Sequence, residues 1–228
     1  DIGEAQQGAA AYQRLREMPN IDPEVVCMSH FASSEEMDNP QTPEQLHCFD
    51  THLPASVASV SLANSSAGLC WKASHRQWVR AGGALYGLTV AAGKTGADFG
   101  LQPAMTLSTR LISIKSLRQG DRVGYAGSYV CPEDMPIGVA AIGYGDGYPR
   151  NIRSATPALL NGKRVPIVGR VSMDLMTLDL RSQPHAQVGD EVVLWGEGLP
   201  IEEIAEAAGT ISYELTCSIT RRVRFIEA

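Results

Sequence analysis

The densest chemistry in this sequence lies in Gly143-Tyr144-Gly145-Asp146-Gly147-Tyr148-Pro149-Arg150. Glycines at alternate positions suggest a nucleotide loop, but such a loop must open a helix whose N-terminus receives the pyrophosphate. Pro149 and a polar, strand-like stretch follow instead, so the nucleotide reading is rejected. A tight turn on Asp146-Gly147 explains the glycines and leaves Tyr144 and Tyr148 unexplained.

Three other places carry reactive or anion-binding groups. His30 ends an apolar run that reads as a buried strand, the end at which active sites gather in β/α barrels. A structural histidine is an equal reading. Asn64-Ser65-Ser66-Ala67 passes from strand to helix, where amides and a hydroxyl can hold a phosphate or Ser65 can serve as a plain N-cap. Gly82-Gly83 follows Arg80, and such glycines let backbone amides approach an anion closely. His47, Cys48 and His52 fit no metal-ligand spacing and read as an exposed helix face, so no metal site is expected.

The elements that must position these groups change character along the chain. Residues 1–88 alternate helix and strand, the pattern of a parallel α/β layer. A helix ends before Pro19, and Val25 to Phe31 reads as a strand. A second helix starts near Thr42-Pro43, with Thr42 as cap and Gln45 completing a capping box. Its Leu46, Phe49 and Leu53 share one face. Val57 to Leu62 and Ala84 to Leu88 read as further strands, with a short helix at Ser65 to Leu69. A Gly-, Ala- and Thr-rich stretch, 89–103, marks a domain boundary, which we place at 95/96.

The rest reads as mostly β. Strands are expected at Met105–Leu117, Ile137–Tyr144, Pro157–Leu160, Arg164–Val168, Val171–Leu180 and Glu191–Trp195, with final strands within Tyr213–Ile226. Asn161-Gly162 is a strong hairpin signal. One helix runs from Pro200 to Gly209 and buries Ile201, Ile204, Ala205 and Ala208.

The net charge of -6 disfavours nucleic acid and anionic lipid as partners. No apolar run reaches membrane-spanning length. Five scattered cysteines without a C-x-x-C pair argue for a reducing compartment, and a cytoplasmic location is expected.

Taken in order, these segments resemble the alanine racemase family. The resemblance rests on Met28-Ser29-His30-Phe31-Ala32, Ala63-Asn64-Ser65 and Trp78-Val79-Arg80 through Gly82 to Leu85-Tyr86-Gly87. It continues through the 143–150 motif, Val168-Gly169-Arg170-Val171-Ser172-Met173-Asp174 and Tyr213-Glu214-Leu215. It implies a two-part fold: the second half of a (β/α)8 barrel that holds pyridoxal 5'-phosphate (PLP), here 1–95, then a mainly β domain, here 96–228. It also implies a homodimer whose β domain reaches the partner's active site, and interconversion of L- and D-alanine that supplies peptidoglycan in a bacterium.

Residue roles follow from the same resemblance. Ser65, Gly82, Gly83 and Tyr213 correspond to groups that bind the PLP phosphate. Arg80 corresponds to the arginine facing the pyridine nitrogen. An arginine cannot surrender its proton, so it keeps that nitrogen unprotonated and the ring a weaker electron sink. Tyr144 corresponds to the base on one face of the substrate. A tyrosine, with an ordinary pKa of ~10, needs a cationic or hydrogen-bonded setting for that task. His30 corresponds to the group orienting that tyrosine, and Met173 to a position whose amide meets the substrate carboxylate.

Two-base racemisation also needs the family's PLP lysine. Lys72, Lys94, Lys115 and Lys163 do not stand in its context. The family's substrate-binding arginine has no match either. The chain therefore reads as a C-terminal portion, completed by another segment or a separate chain. Ser61 stands where some relatives have histidine, and Ser172 where some have cysteine; neither is expected to abolish activity. Three alternatives stay open: an inactive fragment, a non-enzymatic PLP-binding or dimerisation module, and a racemase of broader specificity.

Overall fold

The computed structural model describes residues 5–22 and 24–227, and the chain divides into two units, Asp1–Leu101 and Gln102–Ala228. Each has its own architecture. Among the described residues no helix is long and apolar enough to cross a membrane.

The first unit runs α1 (Ala5–Arg16), β1 (Val26–Met28), α2 (Gln41–His52), β2 (Ser59–Ser61), α3 (Ser65–Cys70) and α4 (Gly82–Leu85). β1 and β2 are parallel, with Val26 opposite Ser59 and Met28 opposite Ser61. Parallel neighbours need a long crossover, and α2 supplies it. Leu46 and Phe49 of α2, and Leu53 just after it, pack on a core of Phe31, Val60, Leu62, Ala63 and Ala67. The helical spacing read from the sequence thus faces that core.

Two local expectations for this unit are corrected. Ala84–Leu88 is not a strand: the amides of Tyr86 and Leu88 both turn back to the Gly83 carbonyl, at 2.9 and 3.0 Å, so the chain curls into α4 and a turn. The third parallel contact comes earlier, from a single bridge between Trp78 and Ser61. Thr42 does not cap α2. The helix starts at Gln41 behind Pro40, Thr42 is buried inside it, and Gln45 accepts the Ala32 amide at 3.1 Å instead of closing a box.

The second unit runs β3 (Leu107–Leu117), β4 (Arg122–Val123), β5 (Tyr129–Val130), β6 (Met135–Ala140), β7 (Pro157–Leu160), β8 (Lys163–Val168), β9 (Met176–Asp179), β10 (Glu191–Trp195), α5 (Ile201–Ala208) and α6 (Ser212–Ser218). Six of the strands close a barrel in the order β10-β3-β6-β9-β8-β7, every neighbouring pair antiparallel. β4 and β5 form a separate short hairpin. Asn161 and Gly162 join β7 to β8 with φ of 48° and 74°, the positive pair that a tight hairpin turn requires. Leu111, Ile137, Leu160, Ile167, Leu178 and Leu194 are buried, each on a barrel strand.

α5 buries the four residues expected of it. The expected final strands are corrected: Ser212–Ser218 is helix α6, which packs beside α5. Tyr213, Leu215 and Cys217 alternate as a strand would. However, closure leaves no free barrel edge to pair with, and Ser212 and Leu215 bury together at helical spacing. The expected strand 137–144 likewise stops at Ala140, and Tyr144 lies in a 3-10 turn, Tyr144–Asp146.

Candidate functional site

In the first unit the strand ends converge on Arg80. The Ser29 amide donates to the Ser61 carbonyl at 3.2 Å, and the Arg80 amide to the Ala63 carbonyl at 2.8 Å, which carries the parallel arrangement past the strands. The Arg80 guanidinium turns onto those ends. Nη1 donates to the Ser61 carbonyl and hydroxyl, both at 2.9 Å. Nη2 donates to the Ser29 carbonyl at 2.9 Å, the His30 Nδ1 at 3.2 Å and the Leu62 carbonyl at 3.4 Å. Because the guanidinium can only donate, His30 accepts through Nδ1 and carries its proton on Nε2. The Nε–H of Arg80 remains the donor not committed to protein among the described residues.

Ser61 is a contributor that sequence reading treated as a mere departure. It is buried at 5% exposure, and its hydroxyl and carbonyl both anchor the arginine. Ser61→Ala removes one charge-assisted bond while leaving the carbonyls in place. It is expected to lower stability by about 1–2 kcal/mol, read by thermal unfolding.

Ser65, Gly82 and Gly83 also meet in this unit. Asn64, not Ser65, caps α3, accepting the Ala67 amide at 2.8 Å. That frees Ser65 from the capping role. Its hydroxyl accepts the Ala84 amide of α4 at 3.2 Å, which leaves the hydroxyl hydrogen to donate elsewhere. A Cβ on Gly82 would meet no atom within 4 Å. Gly82 thus leaves open space at the start of α4, two residues before the Ala84 amide that Ser65 holds.

In the second unit the 143–150 motif separates its two tyrosines. Tyr144 is 37% exposed, whereas Tyr148 is 1% exposed and stacks on Trp195 with ring centroids 5.8 Å apart. Burial pushes the Tyr148 hydroxyl well above tyrosine's ordinary pKa, and that hydroxyl has no partner among the described residues. A group held so firmly protonated cannot serve as a base. Both tyrosines line a cleft of about 510 Å³ with Asn151, Glu214, Leu215 and Thr220, and only Tyr144 is exposed there.

The turn bearing Tyr144 is fixed by its backbone. The amides of Tyr144 and Gly145 donate to the carbonyls of Ser172 and Met173, at 3.0 and 2.8 Å. A Cβ on Gly143 would fall on those same two carbonyls. Gly147 has a φ of 105°, outside the range of ordinary L residues. The motif's glycines thus serve a close approach and a left-handed turn. Met173, 49% exposed, lies on the loop that receives Tyr144.

Two acids and one arginine complete this region, and nothing in their local sequence signals the pairing. Asp146 Oδ2 accepts the Gly143 amide at 2.9 Å, and its Oδ1 lies 3.2 Å from Arg222 Nε. The Arg222 Nη2 also binds Asp174. The Asp174 hydrogen bond, followed by the Asp146 charge, pushes the Arg222 guanidinium above arginine's ordinary pKa. Tyr213 is half-buried on α6, where its carbonyl accepts the Thr216 hydroxyl at 3.0 Å.

Comparison with known proteins agrees along the chain. Residues 3–90 match the family described as "Alanine racemase, N-terminal domain", and residues 104–227 match "Alanine racemase, C-terminal domain". A curated alanine racemase of Nitrosococcus oceani is 53% identical over 215 residues, covering 94% of this chain and 60% of that protein. The biosynthetic alanine racemase of Pseudomonas aeruginosa superposes with a TM-score of 0.91 at 43% identity, over 94% of this chain and 60% of that one. Alanine racemase from Bartonella henselae, solved with covalently bound pyridoxal phosphate, gives a TM-score of 0.76 at 28% identity, over 94% and 60%. The chain thus spans about three fifths of the length of these relatives. Its architecture is the expected one, an α/β part of a larger barrel followed by a mainly β domain.

Proposed function

We propose, since this chain belongs to the alanine racemase family, that the protein it comes from interconverts L- and D-alanine with PLP, by a two-base mechanism. The observation that carries this reading is the split between the motif's tyrosines: Tyr144 half-exposed at a cleft, Tyr148 buried and protonated. PLP, when bound, supplies an electron sink that makes the α-hydrogen of alanine removable.

The residues present fit that group. Ser65 has a hydroxyl hydrogen to give, and open space lies where Gly82 lacks a Cβ. We assign Ser65, Gly82 and Gly83 to the phosphate, and Tyr213 to the same group on the resemblance alone. Arg80 keeps one N–H for a ring nitrogen and spends the others on the protein. Fixed and permanently charged, it donates and never gives up a proton. His30, held by Arg80, is assigned to orient Tyr144. The Met173 amide is assigned to the substrate carboxylate.

Tyr144 takes or returns the α-proton on one face. The opposite face is assigned to a lysine outside these residues, because Lys72, Lys94, Lys115 and Lys163 lack the family's context. We assign 1–95 to the PLP-phosphate half of the barrel and 96–228 to the β-rich domain. A cytoplasmic homodimer with shared active sites, supplying D-alanine for peptidoglycan, completes the reading.

The test is racemisation by the full-length protein in deuterated water. D-alanine formed from L-alanine is expected to carry α-deuterium, and the enzyme mass after PLP and borohydride is expected to rise by one reduced cofactor. An adduct on a peptide of residues 1–228, or no D-alanine, refutes the assignment.

A further inference from the structure

We propose that Arg222 is a positioning residue for Tyr144, acting as a clamp that fastens the Tyr144 turn to the Met173 loop. The inference rests on the reading of Tyr144 as a base and adds a residue to it.

The turn is held from two sides. On one side stand the Ser172 and Met173 carbonyls. On the other is the segment after α6. The Thr220 amide donates to the Asp146 carbonyl at 3.1 Å, and the Thr220 hydroxyl to the Gly145 carbonyl at 3.0 Å. A Cβ on Gly147 would collide with the Ser218 carbonyl. Arg222 extends from this segment, joining Asp146 of the turn to Asp174 of the loop.

Both oxygens of Asp146 are therefore engaged: one closes the turn at Gly143, the other meets Arg222. The Asp146 side chain is only 13% exposed. Its charge is poorly solvated and needs that partner. Arg222 passes close over Gly145, where a Cβ would strike its Nη1. A neutral side chain at 222 would remove the ionic tie between turn and loop, leaving only the backbone bonds to Ser172 and Met173, and would leave the Asp146 carboxylate with the Gly143 amide alone. The barrel strands make none of these contacts.

The test compares wild type, Arg222→Met, Arg222→Lys and Asp174→Asn in the full-length protein. Amide hydrogen exchange is followed in peptides covering 143–148 and 107–117, together with kcat and KM for alanine. In Arg222→Met, exchange over 143–148 is expected to quicken at least about tenfold while 107–117 is unchanged. kcat should fall about tenfold or more, with KM within about twofold. Arg222→Lys should restore part of both, and Asp174→Asn should show a weaker form of the same change. Unchanged exchange in Arg222→Met overturns the clamp whatever the activity shows. A loosened turn with normal kcat overturns its link to the reaction. Should Tyr144→Phe itself keep full turnover, the base reading falls, and the exchange comparison still decides the clamp.

Discussion

In the full-length protein, Tyr144→Phe is expected to lower kcat for racemisation by about 10²–10⁴-fold, the usual worth of a positioned acid or base. The bound cofactor's absorbance should persist, because the cofactor contacts assigned to Ser65, Gly82 and Arg80 are untouched. The control is four residues away in the same motif. Tyr148→Phe removes a buried hydroxyl that has no partner among the described residues. It is expected to leave kcat within about twofold and to change stability by no more than about 1 kcal/mol, in the stabilising direction if at all. A coupled D-alanine assay on both variants decides the matter. Equal losses would mean that the motif acts as a packing unit; near-normal turnover in Tyr144→Phe would remove its role.

That contrast was not legible in the sequence, where Tyr144 and Tyr148 carry the same side chain in one glycine-rich string. The difference arises from Trp195, at the end of β10, which covers one ring and not the other. Contacts between residues far apart in the chain leave no local trace. The Arg222 bridge escaped for the same reason: its partners lie 76 and 48 positions away. Local signals fared better. Asn161-Gly162 turns as its positive φ values demand, and α5 buries the face its spacing announced. The failures at 84–88 and 213–226 share one cause. Short apolar runs suit a strand or a helix alike, and only the closed barrel, or the Gly83 carbonyl gathering two amides, decides between them.

Trp195→Ala is expected to be the most damaging single change in the second unit, lowering stability by about 3–5 kcal/mol. Trp195 is 1% exposed and ends a strand that pairs with both β3 and β7. Its loss empties a volume that barrel side chains on five other strands cannot collapse to fill. The indole also carries the stacked face of Tyr148, so the cavity opens beneath the segment that bears Tyr144. Two consequences should therefore travel together. The melting temperature should fall by roughly ten degrees, and kcat should fall even below the new melting point. Trp195→Phe separates them: it keeps a ring against Tyr148 and removes an indole N–H that has no partner among the described residues. It should recover most of the turnover and a good part of the stability. If turnover in Trp195→Ala stayed normal at low temperature, Tyr144 would owe its placement to the Ser172, Met173, Thr220 and Arg222 contacts, and the barrel beneath it would be only a support.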